Sequence, residues 1–264
     1  MSPPSILDRL RIVLVRTRNP LNLGAVARCM SNFGFLKLRV VEPYEPAFRE
    51  ARSAVGGASV LAAAKEFPTL AAAIADCSYV VGSTAVRHRV PKQPVFALPE
   101  ASDQIHRQLQ SGNVALLFGN EKSGLSNDDF SHCHALLHIP TRDKNPSMNL
   151  GQAVAVCLYE LCRESDPHRL LQTPRMKTRK SSRGGGKTED MTTVPKAATA
   201  SDLERLANSL TDALSLSGYI KPGADRLVEE NLRAMLRRQH INASDAQTWL
   251  GMLRKILWKL RSEV

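Results

Sequence analysis

The sequence predicts an α/β protein, a mostly parallel sheet with helices on both faces, followed by a small C-terminal helical domain. Three observations carry this expectation. Short runs that are apolar at consecutive positions alternate with helical patterns over residues 1–163. A stretch with little apolar content follows, and beyond residue 200 the pattern is helical throughout. Strands covered on both faces of a parallel sheet read as such unbroken apolar runs rather than as an alternation.

Strands are expected at 12–15, 38–42, 78–82, 114–118 and 136–139, with helices near 21–33, 47–65, 69–76, 101–110, 126–133 and 149–163. Strand–helix alternation of this kind implies crossover connections and an open sheet. In the first helix Asn19 reads as the N-cap and Pro20 as the first helical residue. Ala25, Val26, Cys29, Met30 and Phe33 form its apolar face, which leaves Arg28 on the other side with Gly24, Ser31 and Asn32. The helix at 149–163 carries Leu150, Ala153, Val154, Cys157, Leu158 and Leu161 on one face. Residues 1–163 thus form one domain.

Residues 164–200 include Arg175-Met-Lys-Thr-Arg-Lys-Ser-Ser-Arg-Gly-Gly-Gly-Lys187, which has nothing to pack into a core and reads as a flexible basic linker. Ser201-Asp-Leu-Glu204 has the form of a capping box. Leu203, Leu206, Leu210 and Leu214 then recur at helical spacing, with Gly218 as the stop. Two further helices carry Leu227, Leu232 and Leu236, and then Leu250, Leu253, Leu257 and Leu260. Residues 201–264 are therefore expected to form a small helical domain, with Arg233, Arg237, Arg238, Arg254, Lys255, Lys259 and Arg261 on its outer faces.

The net charge of +11 favours a polyanionic partner, RNA or DNA before an anionic membrane. Five cysteines without a C-x-x-C pair point away from a disulfide scaffold or a common zinc site and towards a reducing, cytoplasmic setting. His132-Cys133-His134 resembles a metal motif, but adjacent side chains diverge and no second ligand pair follows, so no metal is expected. Neither a signal peptide nor an apolar run of the roughly 18 residues a membrane span needs is read in the chain.

Ligands of open α/β sheets bind beyond the carboxyl ends of the strands. Three strand-end loops attract attention there. The first runs from Arg16 to Arg28, where capping explains Asn19 but neither Asn22 nor Arg28. The second, from Leu116 to Gly124, has the opening of a phosphate loop, but Leu125 stands where the lysine is required, so the nucleotide-binding reading fails. The third runs from Ile139 to Gly151, where Ser147 or Asn149 reads equally well as a helix cap or as a ligand contact.

Taken together, the loops resemble the three motifs of the SpoU/TrmH branch of the SPOUT methyltransferases: Asn-Pro-x-Asn-x-Gly-x-x-x-Arg from Asn19 to Arg28, Gly-x-Glu-x-x-Gly-Leu from Gly119 to Leu125, and Ser-x-Asn-Leu from Ser147 to Leu150. The tail around Gly218-Tyr-Ile and Asn231 to Arg238 resembles, more loosely, the C-terminal extension of the TrmJ subgroup. This resemblance implies a trefoil knot at the C-terminal side of the α/β domain, a homodimer, and S-adenosyl-L-methionine as cofactor. It implies a cofactor pocket of Ser83, Thr84, Ala85, Gly119, Ile139, Pro146, Ser147 and Met148, and a reacting site of Arg28, Asn22, Glu121, Ser147 and Asn149. The reaction implied is 2′-O-methylation of a tRNA ribose, Cm or Um at anticodon-loop position 32. The family assigns the base role to the arginine here numbered Arg28; since a guanidinium stays protonated in proteins, stabilising alkoxide character and gripping a phosphate is the role expected of it. Asp143-Lys-Asn-Pro146 stands where the subgroup carries an aromatic, which leaves the base preference open. An rRNA 2′-O-methyltransferase and a non-catalytic RNA-binding paralogue remain alternatives at this level.

Overall fold

The computed structural model describes residues 6–44, 57–85, 91–142, 147–165, 196–221 and 223–262. Seven strands form one sheet: β1 (Leu10–Val15), β2 (Leu38–Val41), β3 (Lys65–Phe67), β4 (Tyr79–Ser83), β5 (Val95–Ala97), β6 (Val114–Phe118) and β7 (Ala135–His138). Their order is β3-β2-β1-β6-β4-β7-β5, and every pairing is parallel. The parallel α/β expectation is met, and the five expected strands are all present. Sequence reading missed the edge strands β3 and β5.

The helices are α1 (Pro20–Phe33), α2 (Ala58–Ala62), α3 (Leu70–Ile74), α4 (Leu98–Ser111), α5 (Asn127–Ser131), α6 (Leu150–Ser165), α7 (Ala200–Leu216), α8 (Asp225–Arg238) and α9 (Ala243–Ser262). Alternate strand residues feed two cores. Ile12, Leu14, Leu116 and Phe118 pack with α1, α2, α4 and α6 on one face. Val13, Val15, Ala115 and Leu117 pack with α3, α5 and Ala200 on the other. Full burial of such a side chain is worth about 1.5–3 kcal/mol, which explains why the buried positions on both faces of the central strands are apolar.

α1 starts as its sequence predicts: the Asn19 side chain accepts from the Leu21 N–H at 2.9 Å, and Pro20 follows. Ala25, expected on its apolar face, is exposed beside Arg28, because the buried stripe runs through Leu23, Val26, Ala27 and Met30. The C-terminal helix begins two residues earlier than expected: Thr199, not Ser201, is the N-cap, in a reciprocal capping box with Asp202. The Ala200 and Ser201 N–H groups donate to the Cys77 and Ala75 carbonyls at 2.7 and 3.2 Å, seating α7 on the end of α3.

Two expected surface charges are not on the surface. Arg237 is only 1% exposed, and the Arg233 side chain 12%. α8 is covered on one side by α7 and on the other by α5. A helical wheel of α8 could not show this, because the element that covers the basic face lies about a hundred residues earlier in the chain.

Candidate functional site

The carboxyl ends of β4, β6 and β7 and the first turn of α1 open on a cleft of ≈ 520 Å³, within the usual range for a small-molecule site. Asn22, Glu121, Ser147 and Asn149 line it, as do Ser83, Thr84, Ala85, Gly119, Ile139 and Met148. Pro146 lies outside the described residues, as does all of 143–146. Arg28 is exposed on α1 and is not among the residues lining this cleft. It sits six residues beyond Asn22, which turns it about 120° around the helix from that residue.

The three loops are tied together through Asn22. Its Nδ2 donates to Glu121 Oε1 at 3.1 Å, and its Oδ1 accepts from Asn149 Nδ2 at 2.9 Å. Asn149 Oδ1 in turn accepts from the Gly151 and Gln152 N–H groups at 2.9 and 3.3 Å, capping α6. A carboxylate only accepts, so Glu121 sets the orientation of each amide in the series. The positive end of a helix stands at one extremity and a negative charge at the other, so the dipoles of both amides are aligned with the local field.

Glu121 also accepts from the Arg18 and Asn19 N–H groups, at 3.2 and 3.1 Å. Partial burial alone would raise its carboxyl pKa. The hydrogen bonds from Asn22 and from the backbone outweigh burial and hold it below the ordinary carboxylate range. It is therefore an ionised clamp on the first loop, with its oxygens already engaged.

Gly119 is required sterically. A Cβ there would lie 2.1 Å from the Gly124 carbonyl carbon and 2.2 Å from the Leu125 nitrogen. Gly124 turns the loop back with φ +68°. Asn120, which sequence reading passed over, fixes this turn: its Oδ1 accepts from Lys122 N at 2.9 Å, and its Nδ2 donates to the Arg16 carbonyl at 2.8 Å. The residue type was a usable signal, since Asn favours turns that hydrogen-bond their own backbone. Phe130 on α5 also lines the cleft and was not nominated; nothing in a five-residue amphipathic pattern distinguishes it from core.

The His132-Cys133-His134 segment is structural. His134 Nδ1 accepts from the Val80 N–H at 3.1 Å, and burial holds its pKa well below the ordinary histidine value. Among the described residues no group of three or more His, Cys, Asp or Glu is placed to hold a metal ion. The five cysteines are free; burial, reinforced by Asp76, pushes the Cys77 thiol to about 12, and burial alone does the same for Cys157.

A parallel sheet with a glutamate–asparagine–asparagine series bridging three strand-end loops corresponds to a known class. The family described as SpoU rRNA Methylase matches residues 9–159, and the chain belongs to that family. Its similarity extends over nearly the whole chain to the tRNA (cytidine/uridine-2'-O-)-methyltransferase TrmJ of Sodalis glossinidius, with 31% identity over 252 residues, 95% of this chain and 92% of that one. The tRNA (cytidine/uridine/adenosine-2'-O-)-methyltransferase TrmJ of Pseudomonas aeruginosa is 38% identical over 158 residues, 59% of this chain and 61% of that one. The crystal structure of TrmJ from Z. mobilis superposes with a TM-score of 0.74 at 30% identity, covering 93% of this chain and 98% of that one.

Proposed function

We propose that the chain is a tRNA 2′-O-methyltransferase that uses S-adenosyl-L-methionine, acting on the ribose of C or U at position 32. The observation that carries this reading is the single cleft into which Asn22, Glu121, Ser147 and Asn149 converge, in a chain similar over 95% of its length to an enzyme named for that reaction.

The cleft suits this cofactor. Phe118, Leu125, Phe130, Leu137 and Leu150 give it an apolar wall for an adenine ring, while Ser83, Thr84, Thr141 and Ser147 stand at its lining with polar groups for a ribose and an amino acid. Ser83, Thr84, Ala85, Gly119, Ile139, Ser147 and Met148 would hold it. S-adenosylmethionine supplies an electrophilic methyl on a sulfonium. The protein's task is then to align a ribose 2′-hydroxyl with that methyl, and alignment of this kind can contribute about 7–11 kcal/mol. Asn22 and Asn149 are locked into one orientation by Glu121 and α6, and present a rigid edge for the sugar. Arg28 meets the developing alkoxide and the adjacent phosphate.

Arg28 reaches that position from a second copy. It shares an outward stripe of α1 with Leu21 and Ala25, and the adjoining face of α6 exposes Val156 and Tyr159. Leu21 is 78% exposed and Tyr159 52%, an apolar surface that a homodimer would cover. The family's knotted topology belongs to the same reading; α6, which follows β7 in the chain, packs along α1. Among the described residues no helix is long and apolar enough to cross a membrane, and a tRNA substrate places the protein in the cytoplasm.

Methyl transfer from labelled cofactor to unmodified tRNA and to rRNA fragments, followed by mapping of the 2′-O-methyl nucleotide, tests the assignment. Label at the first nucleotide of the anticodon loop is expected. Label confined to rRNA would support the ribosomal alternative, and no transfer to either would support a non-catalytic RNA-binding protein.

A further inference from the structure

α5 lies between the cleft and the C-terminal helices, and its consecutive side chains face three ways. Phe130 lines the cleft. Asp129, 2% exposed, binds the Arg16 guanidinium at the end of β1 and accepts from Ser126 N and Oγ at 2.6 and 2.8 Å. Asp128 accepts from Arg233 Nη1 of α8 at 3.0 Å. Arg233 also donates to Glu204 of α7 at 2.9 Å and to Glu229 of its own helix.

Arg16 has φ +55°, a left-handed conformation that a non-glycine residue keeps only where its surroundings over-determine it. Its N–H donates to the Val41 carbonyl at 2.9 Å, its carbonyl accepts from Asn120, and its side chain is held by Asp129 and Glu42. Asp129 therefore connects α5 to both the first and the second cleft loop. Beneath Arg233, Arg237 lies 3.7 Å from Glu204, and His132 lies 3.5 Å from the same carboxylate. Burial, with Arg237 and Arg233 nearby, lowers the His132 pKa to about 3, which leaves the two arginines to balance Glu204. Buried ion pairs repay their desolvation poorly, so this cluster acts as a register for the docked helices more than as a source of stability.

We infer that Arg233 and Asp128 are positioning residues for methyl transfer. By seating α7 and α8 on α5, they hold Phe130 and the 119–125 loop in the shape that takes the methyl donor. The C-terminal helices then set cofactor affinity from behind the site, in addition to any contact with RNA. The inference rests on the cleft being the cofactor site.

The test is calorimetric titration of S-adenosylmethionine into the full-length wild type, Arg233→Met, Arg233→Lys and Asp128→Asn, each well below its unfolding midpoint. Cofactor Kd should rise about 5-fold or more in Arg233→Met, in the range of typical coupling between sites. Arg233→Lys should recover part of the affinity. Asp128→Asn, which leaves Arg233 its two glutamates, should show a smaller rise and serves as the test if Arg233→Met does not fold. KM for the cofactor should change more than kcat. A lowered melting temperature with unchanged Kd in these variants would overturn the inference while leaving the site assignment intact. A wild type that takes up no cofactor would overturn both.

Discussion

Asn22 and Glu121, 99 residues apart in the chain, share a 3.1 Å hydrogen bond that closes the first cleft loop onto the second. Asn22 then passes the connection to Asn149 and the start of α6. Replacing Asn22 by Ala leaves a clamped carboxylate and an amide without their partner. The expected cost is about 1–3 kcal/mol of stability, read by urea denaturation. Displacing the reacting groups should also slow methyl transfer by about 10²-fold, read with saturating tRNA. Unchanged stability and rate in Asn22→Ala would show that the series is incidental.

Glu121 gives a pH signature. Its pKa is depressed in the folded state, so its charge stabilises the fold above the ordinary carboxylate value of 4.5, and that contribution is lost as pH falls through the lower folded value. Melting temperatures of wild type and Glu121→Gln should differ most at neutral pH and converge in acid. A gap that widens as pH falls would contradict the clamp role.

Arg28 and Gly119 define a complementation experiment. Arg28→Ala should lose methyl transfer by about 10²–10³-fold while still binding cofactor, and Gly119→Ala should lose the cofactor loop. Co-expressed, the two inactive chains should regain activity if the proposed homodimer pairs an intact cleft of one chain with an intact Arg28 of the other. A mixture as inactive as its components would place Arg28 in its own chain's reaction.

The central strands were legible because burial on both faces writes an apolar run into the sequence, as in Val114–Phe118. β3 and β5 were not. Lys65–Phe67 and Val95–Ala97 are three residues each at the sheet edges, half-buried or exposed, so their pairing leaves no hydrophobic trace. The loops were legible as motifs, but the motifs are silent about which side of α1 faces the cleft. Arg28 was therefore grouped with Asn22 in one reacting site by the motif, although on α1 the two side chains face different ways. Arg233 and Arg237 read as charge on an outer face, open to RNA or solvent, since a basic helix face looks the same in water and against a half-buried glutamate. Asn120 and Asp129 act through contacts to Arg16 more than a hundred residues distant, which no local pattern records.

The central claim is that the cleft behind Gly119 holds the methyl donor. Isothermal titration of S-adenosylmethionine into wild type and Gly119→Ala tests it most directly. Overpacking of this kind costs about 1–3 kcal/mol even where a chain can relax, and here the opposing atoms are backbone. The account predicts one cofactor bound per chain in the wild type and none in a folded Gly119→Ala. A wild type that releases no heat, or a variant that binds as tightly as the wild type, would contradict it.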